Sequence, residues 1–540
     1  MLRWVARAWT GGAAGRSAVA QGLVAGGAGT TGVGQWVRRK GTAAEVKAEA
    51  NEVARLQAEL EAEEVEHQRL TVELQKSMSS GRKSICVFGA GLSAKAAIRY
   101  LVDHAEECGW HIHVGDQNVD TVHKLLEGRP NTSAFAFDVA DAETIETEVA
   151  AADLVISMVP AHLHGRIVRP AVENGVDVVT ASYVSDEIRE LDALARKRGS
   201  LVMMECGVDP GIDHMSAMHV LQNIRAEGGT VTSFESFTGG LVADDSDDNP
   251  WKYKFTWNPR NVVLAGQGVS KFVYNGTLKY MPYWQLFQRI EHVEIPENPL
   301  AGASVFEGYA NRDSLSYRQA YGLEHCPTVF RGTLRKPGFC AAWDVFVQLG
   351  LTDDSYVIPD SENMTYRQFI NSFLMWRPED TVELKLAYHL GISFESAVFE
   401  QLRWLGIFEH KKIGLPNATP AKVLEKLLTS KLVFTEKDRD MLVMFHRIQY
   451  ETLSGQNRQV SASLVSIGEG ESDPSMTAMA KTVGLPVGIV TKLILQGKVT
   501  ARGVQIPTFD EVTTPVLDEL ATLGIALKEI DEPLHLAPQS

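Results

Sequence analysis

The chain has 540 residues, 44% hydrophobic and 22% charged, and a formal net charge of −16. That length exceeds one compact core and points to about three globular units. The acidic balance argues against a nucleic-acid partner, and no run reaches the ~18–20 uninterrupted apolar residues of a membrane span.

Residues 1–44 carry Arg3, Arg7, Arg16, Arg38, Arg39 and Lys40, with no acid before Glu45. An Arg-rich, acid-free start reads as an organelle transit peptide, most readily a mitochondrial one. Residues 45–78 then form an extension rich in Ala, Glu, Leu and Gln. Over 45–77 it has no Gly or Pro and predicts a helix of about nine turns. Val53, Leu56, Leu60, Leu70 and Leu74 fit a heptad pattern that Glu63 and His67 interrupt, so a short coiled coil and a solvated helical tail fit equally.

From Ser84 the chain alternates. Short apolar runs at 85–88, 111–115, 134–137, 154–158, 176–180 and 201–204 are separated by helical stretches such as 93–103 and 186–197. This predicts an α/β unit over 82–206, a Rossmann-type doubly wound sheet of parallel strands. Residues 207–335 read as a second sheet of α+β type, with strands such as 231–237 and 262–264. From 336 to 455 the apolar spacing turns helical, as in "AAWDVFVQLG", "LEKLLTS" and "DRDMLVMFHRIQY". A strand-like run follows at 458–467, and "SMTAMAKTVGLPVGIVTKLILQG" reads as a helical pattern broken by Gly and Pro.

Gly89-Ala90-Gly91-Leu92-Ser93-Ala94 is G-x-G-x-x-A between a predicted strand and a predicted helix. The first glycine permits the tight turn and the second lets the backbone approach a pyrophosphate. The small Ala94 lets helix and strand pack closely. Asp116 ends the second strand about 25 residues further on, where a carboxylate accepts from the adenosine ribose and repels a 2′-phosphate. That favours NAD over NADP.

Other polar groups carry less. His162 and His164 form H-x-H without the further ligands of a metal shell, and no metal is expected. Five dispersed cysteines make neither a zinc nor a disulfide framework. "DDSDD" at 244–248 lacks the glycine and terminal glutamate of a calcium loop and reads as an acidic surface loop. In "VDPGID", 208–213, Pro210 and Gly211 shape a turn that frees Asp209 for the cleft between domains. Asp213 is expected to cap the following helix, with His214 and Cys206 as packing.

Several segments carry a family resemblance: "DLVISMVPAHLHGRIV", "VVTASYVSDEIRELD", "GVDPGIDHMSAM", "GGLVADDSDDNPWKYKFTWNPR", "YANRDSLSYRQAYG", "RGTLRKPGF" and "SMTAMAKTVGLP". Over about 82–530 the sequence resembles the glutamate-forming saccharopine dehydrogenases. The resemblance implies NAD(P)-dependent cleavage of saccharopine to L-glutamate and 2-aminoadipate 6-semialdehyde, or the reverse condensation. It implies a Rossmann domain (82–206, with 474–500 returning), a substrate-binding sheet domain (207–335, with 456–472 and 500–530 returning) and a helical domain (336–455). Its cofactor set falls on Gly89, Ala90, Gly91, Leu92, Ser93, Asp116, Gln117, Asp138, Val139, Ser157, Met158, Val159, Ser182, Val208, Asp209, Pro210 and Asn258. Its substrate set falls on Ser182, Tyr183, Asp209, Arg312, Thr333, Leu334 (by its backbone) and Arg335, with Asp209 and Tyr183 as the catalytic candidates. Thr238 stands where many members have a cysteine, and Gln117 where NADP-preferring members often have an arginine. The partners implied are these small molecules, and a homodimer is left open. Two other readings keep the nucleotide site: a dehydrogenase of another carboxylated secondary amine, and a non-catalytic nucleotide-binding protein.

Overall fold

The computed structural model describes Arg55 and residues 81–264, 268–296 and 305–534. The expected targeting segment 1–44 lies outside the described residues. So does the helical extension 45–78 with its coiled coil, Arg55 apart. All elements named below belong to the unit Gln75–Ser540.

Six strands come first: β1 (Lys83–Phe88), β2 (Trp110–Asp116), β3 (Thr132–Ala136), β4 (Leu154–Ser157), β5 (Asp177–Val179) and β6 (Leu201–Met203), with helix α1 (Ala94–Cys108) after β1. Their flat Val/Ile runs are buried on both faces, as the interior strands of a parallel sheet require: Ile85, Val87, Val155, Ile156, Val178 and Val202 have no exposed surface. The predicted helix 186–197 is two short ones, Asp186–Arg189 and Asp192–Arg198.

Helix α2 (Ile212–Ala226) leads into the second sheet. Its strands are β7 (Thr230–Val242), β8 (Ser270–Tyr274), β9 (Thr277–Met281), β10 (Glu291–Glu294), β11 (Val305–Ala310), β12 (Val329–Arg335), β13 (Asp440–Glu451) and β14 (Asn457–Ile467). The expected strand at 262–264 is instead the end of a helix, Pro259–Leu264, with proline at its first position. Between β12 and β13 lie α3 (Phe339–Gln348) and four further helices, around an aromatic core in which Trp251 stacks on Phe346 at 5.5 Å.

"DRDMLVMFHRIQY" is the larger correction: it forms β13, not a helix. Met441, Val443 and Phe445 pack on Phe237 and Phe306, while Leu442 and Met444 face the opposite core with Ala478 and Leu485. A strand apolar on both faces shows no alternation, so its period is hidden in the sequence.

Helix α4 (Ala478–Leu495) is continuous through Pro486, contrary to the broken pattern read from its glycines. Those glycines serve packing. A Cβ on Gly484 would lie 2.6 Å from Ala97 N, and one on Gly488 2.5 Å from Tyr100 Cδ1, both on α1. α4 is long and apolar enough to cross a membrane, but most of it is buried inside the protein. β15 (Gly503–Gln505), α5 (Asp510–Thr522) and β16 (Lys528–Pro533) follow.

The parallel sheet has the order β15-β6-β5-β4-β1-β2-β3 and the mixed sheet β10-β11-β12-β7-β13-β14-β16, with β8 and β9 branching from β12. The segment 500–530 is thus divided: its strand β15 extends the parallel sheet, whereas β16, which begins at Lys528, closes the mixed one.

Candidate active site

The parallel order reverses between β1 and β4, which opens a crevice at the carboxyl ends of the strands. Gly89 sits there at φ +100, and a Cβ on it would lie 3.0 Å from Met158 O. Its N–H donates to Gly115 O at 2.8 Å, while the Ala90 N–H donates to Asp116 Oδ2 at 2.8 Å. The other Asp116 oxygen accepts from Asn118 N–H at 2.9 Å. The Leu92 and Ser93 amides meet no protein acceptor among the described residues, and the space beyond the Cα of Gly91 is empty to 4 Å. Uncommitted N–H groups at the start of a 15-residue helix, next to open space, suit a pyrophosphate. The donor set therefore fits a dinucleotide.

Gln117, Asp138 and Val139 stand at or just past the ends of β2 and β3, and Ser157, Met158 and Val159 at the end of β4. With the glycine loop after β1, these members of the expected cofactor set stand at four neighbouring strand ends, β4, β1, β2 and β3. Asp138 Oδ1 accepts from Ala140 N–H at 2.9 Å. Asn258 does not join them: it is exposed, and its Oδ1 accepts from Arg260 N–H at 3.0 Å in a local turn.

His164 links two of these positions. Its Nδ1 lies 2.8 Å from Ser157 Oγ and its Nε2 2.7 Å from Ser182 Oγ. Burial, then the nearby His162, lowers its pKa to about 4, so at neutral pH the ring donates from one nitrogen and accepts at the other. Nothing in H-x-H signalled this role.

The turn after β6 is tight. Gly211 has φ +147, and a Cβ there would lie 2.1 Å from Gly207 O, so only glycine fits. Asp209, joined to Pro210 by a cis peptide, accepts on Oδ1 from Tyr183 O–H at 2.8 Å and from Arg331 Nη2 at 2.7 Å. The same Nη2 donates to Asp213 Oδ2 at 2.7 Å. Asp213 is not the cap expected of it: the N-cap of α2 is Gly211, without a side-chain cap bond, and Asp213 Oδ1 accepts from Gly211 N–H at 2.6 Å from inside the helix. Burial, then the Asp209 charge, pushes the Tyr183 hydroxyl well above the ordinary phenol range, so it stays a neutral donor. Val208 is buried, and its carbonyl accepts the Asp213 N–H at 3.0 Å.

His214 does more than pack. Its Nε2 lies 2.7 Å from Glu205 Oε2 and its Nδ1 2.5 Å from Tyr321 Oη. Glu205, at φ +60, also accepts from Tyr317 O–H at 3.1 Å and from Val184 N–H at 3.0 Å. It thereby holds the residue after Tyr183 and the ring over which Arg331 lies, with Cζ 4.6 Å from the Tyr317 centroid.

Arg312, just past β11 at φ +45, stands over Tyr183 with Cζ 5.3 Å from the ring centroid. The neighbouring Asp313 pairs with Lys271 at 3.5 Å, not with Arg312. Along β12, Arg331, Thr333 and Arg335 share one face over roughly 13 Å. Arg335 is buried beside Tyr253, Tyr309 and Phe339, and its Nε has no partner among the described residues. Its Nη1 donates to Leu334 O at 3.2 Å. Thr238 lies opposite Thr333 in the β7–β12 register. A cavity of ≈ 490 Å³ joins Tyr183, Glu205, Arg312, Tyr317 and Arg331; Thr333 and Arg335 lie further along β12 and are not on its wall.

Arg331 and Glu205 escaped the sequence reading. Arg331 stands two residues before Thr333, and period-2 spacing on a strand was the signal that could have found it. The acidic loop proves charge-paired: Asp244 and Asp247 hold the buried Lys336 at 2.7 and 3.0 Å, and Asp245 holds Arg439 at 2.9 Å.

Two family profiles match the chain, the saccharopine dehydrogenase NADP binding domain over residues 85–203 and the saccharopine dehydrogenase C-terminal domain over 207–525. It is 32% identical over 461 residues to the saccharopine dehydrogenase (NADP(+), L-glutamate-forming) of Schizosaccharomyces pombe, covering 83% of this chain and 99% of that one. It is 30% identical over 454 residues to the mitochondrial alpha-aminoadipic semialdehyde synthase of Mus musculus, covering 83% of this chain and 48% of that one. The apo saccharopine dehydrogenase (L-Glu forming) structure from Saccharomyces cerevisiae superposes with a TM-score of 0.74 at 29% identity, covering 83% of this chain and all of that one. In sequence over most of its length, and in fold, the chain belongs to the saccharopine dehydrogenase family.

Proposed function

We propose that the chain oxidises saccharopine with a nicotinamide dinucleotide, giving L-glutamate and 2-aminoadipate 6-semialdehyde, and catalyses the reverse condensation at the same site. The observation that carries this reading is the Tyr183–Asp209–Arg331 contact at the carboxyl edge of the parallel sheet. Arg312 stands beside it, over Tyr183, and Arg335 lies further along β12; no carboxylate neutralises either among the described residues.

Saccharopine is a secondary amine with three carboxylates. A bound nicotinamide supplies the hydride acceptor. The chain's own residues must fix the carboxylates, take up the amine and admit one water, which adds across the C=N bond as glutamate leaves. Arginine forks suit the first task. Asp209 Oδ2 receives no hydrogen bond from the protein among the described residues and is left to accept from the substrate N–H. Tyr183 fixes Asp209 as a neutral donor. Ser182, oriented by His164, is the hydroxyl we place between substrate and nicotinamide.

We read the cofactor as NAD, although the Schizosaccharomyces pombe relative is named for NADP(+). Support comes from Asp116 at the end of β2, followed by Gln117, with no ion-paired cation among the described residues. A mitochondrial location is supported by the acid-free, Arg-rich 1–44 and by the mitochondrial name of the mouse relative. Recording NAD(P)H absorbance with saccharopine and each cofactor tests the reading. Faster turnover at low NAD than at low NADP is expected, and the opposite order would remove the NAD assignment.

A further inference from the structure

The cavity beside Tyr183 has an uneven charge balance. Its two carboxylates already have partners: Glu205 lies 2.7 Å from His214 Nε2, and Asp313 pairs with Lys271 at 3.5 Å. Of its arginines, Arg331 is neutralised by Asp209 and Asp213. Arg312 and Arg189 are not: neither has a carboxylate partner among the described residues, and both line this cavity. These two are the cationic side chains on the cavity wall left without an ion pair among the described residues. Arg189 ends the short helix Asp186–Arg189, six residues beyond Tyr183, and so belongs to the connection between β5 and β6 of the parallel sheet. Arg312 extends from β11 of the mixed sheet. One cavity therefore carries an unpaired guanidinium from each sheet.

We propose that Arg189 binds one of the substrate's three carboxylates, opposite Arg312. This rests on the saccharopine reading above. Arg189 and Arg312, without a carboxylate partner among the described residues, are then available to two of the ligand's three carboxylates.

The test is steady-state kinetics of full-length Arg189→Ala and Arg189→Lys with saccharopine and with its three monoamides. Losing a charge-assisted pair should raise the apparent KM for saccharopine about 10- to 100-fold in Arg189→Ala. Lysine should recover part of this, with kcat within about two-fold and nicotinamide affinity unchanged. One monoamide should give wild type and Arg189→Ala the same KM, because the missing charges belong to one pair. A KM for saccharopine unchanged in Arg189→Ala overturns the assignment, as does an equal loss for all three monoamides. Absence of wild-type turnover would remove the proposed function itself and this assignment with it; normal wild-type turnover with an unaltered variant removes the assignment alone.

Discussion

Arg331 Nη2 donates to Asp209 Oδ1 at 2.7 Å, from a strand of the mixed sheet to the turn that leaves the parallel sheet. The same nitrogen holds Asp213, and the guanidinium is almost wholly buried. The contact therefore ties the two sheets together at the point where the substrate amine is proposed to sit. Removing one partner of a buried pair leaves the other charge uncompensated, at a cost of about 3–5 kcal/mol. Arg331→Met is expected to lower the unfolding free energy by that amount and to reduce kcat/KM by at least about 100-fold; urea denaturation and initial rates check both.

Tyr183→Phe isolates the hydroxyl. The ring stays beneath Arg312 while Asp209 loses one of its two donors. A hydrogen bond to a charged group contributes roughly 1.5–3 kcal/mol, which converts to a kcat/KM loss of about 10- to 150-fold. Nicotinamide affinity, read by fluorescence titration, should stay within about two-fold. Full activity in Tyr183→Phe would show that the hydroxyl does nothing for Asp209.

Much of this site was legible in sequence, for physical reasons. The glycine loop announces itself because backbone conformation restricts residue type there. Asp209 stands out because Pro210 and Gly211 mark a sharp turn. Arg331, Glu205 and His164 did not announce themselves. Their partners lie 122, 112 and 18 residues away, in Asp209, Tyr317 and Ser182, and apart from the period-2 step from Arg331 to Thr333 no local spacing links them. β13 was misread for a related reason: two cores, one on each face, turn its pattern into an uninterrupted apolar run.

Asp116 accepts from the glycine loop at Ala90 N–H, and in the proposed NAD reading its carboxylate would repel a 2′-phosphate. Asp116→Ser keeps an acceptor and removes the charge. The ratio of kcat/KM for NADP to that for NAD should rise by about 10-fold or more, as one removed like-charge contact predicts. An unchanged ratio would place cofactor choice elsewhere.

Acid stability follows from two buried histidines. His164 has its pKa lowered to about 4, by burial and then by His162. His446 has its pKa lowered to about 3, by burial first and then the Arg331 charge, with Asp209 opposing. An unfolded histidine takes up its proton near pH 6.5, whereas these take theirs up only well below that. The unfolded chain therefore binds more protons between about pH 6.5 and 4, and stability falls as pH drops through that window, by up to about 1.4 kcal/mol per pH unit for each ring. Above about pH 7.5 neither ring contributes a slope. In His446→Asn the acid slope, measured from urea midpoints, should be shallower by about one proton.

The most direct measurement is NAD(P)H formation by the purified full chain given saccharopine, with glutamate assayed as the second product. The account predicts absorbance that rises with saccharopine, one glutamate for each nucleotide reduced, and a rate that collapses in Arg331→Met. A folded protein that binds the nucleotide yet forms neither product with NAD or NADP contradicts it.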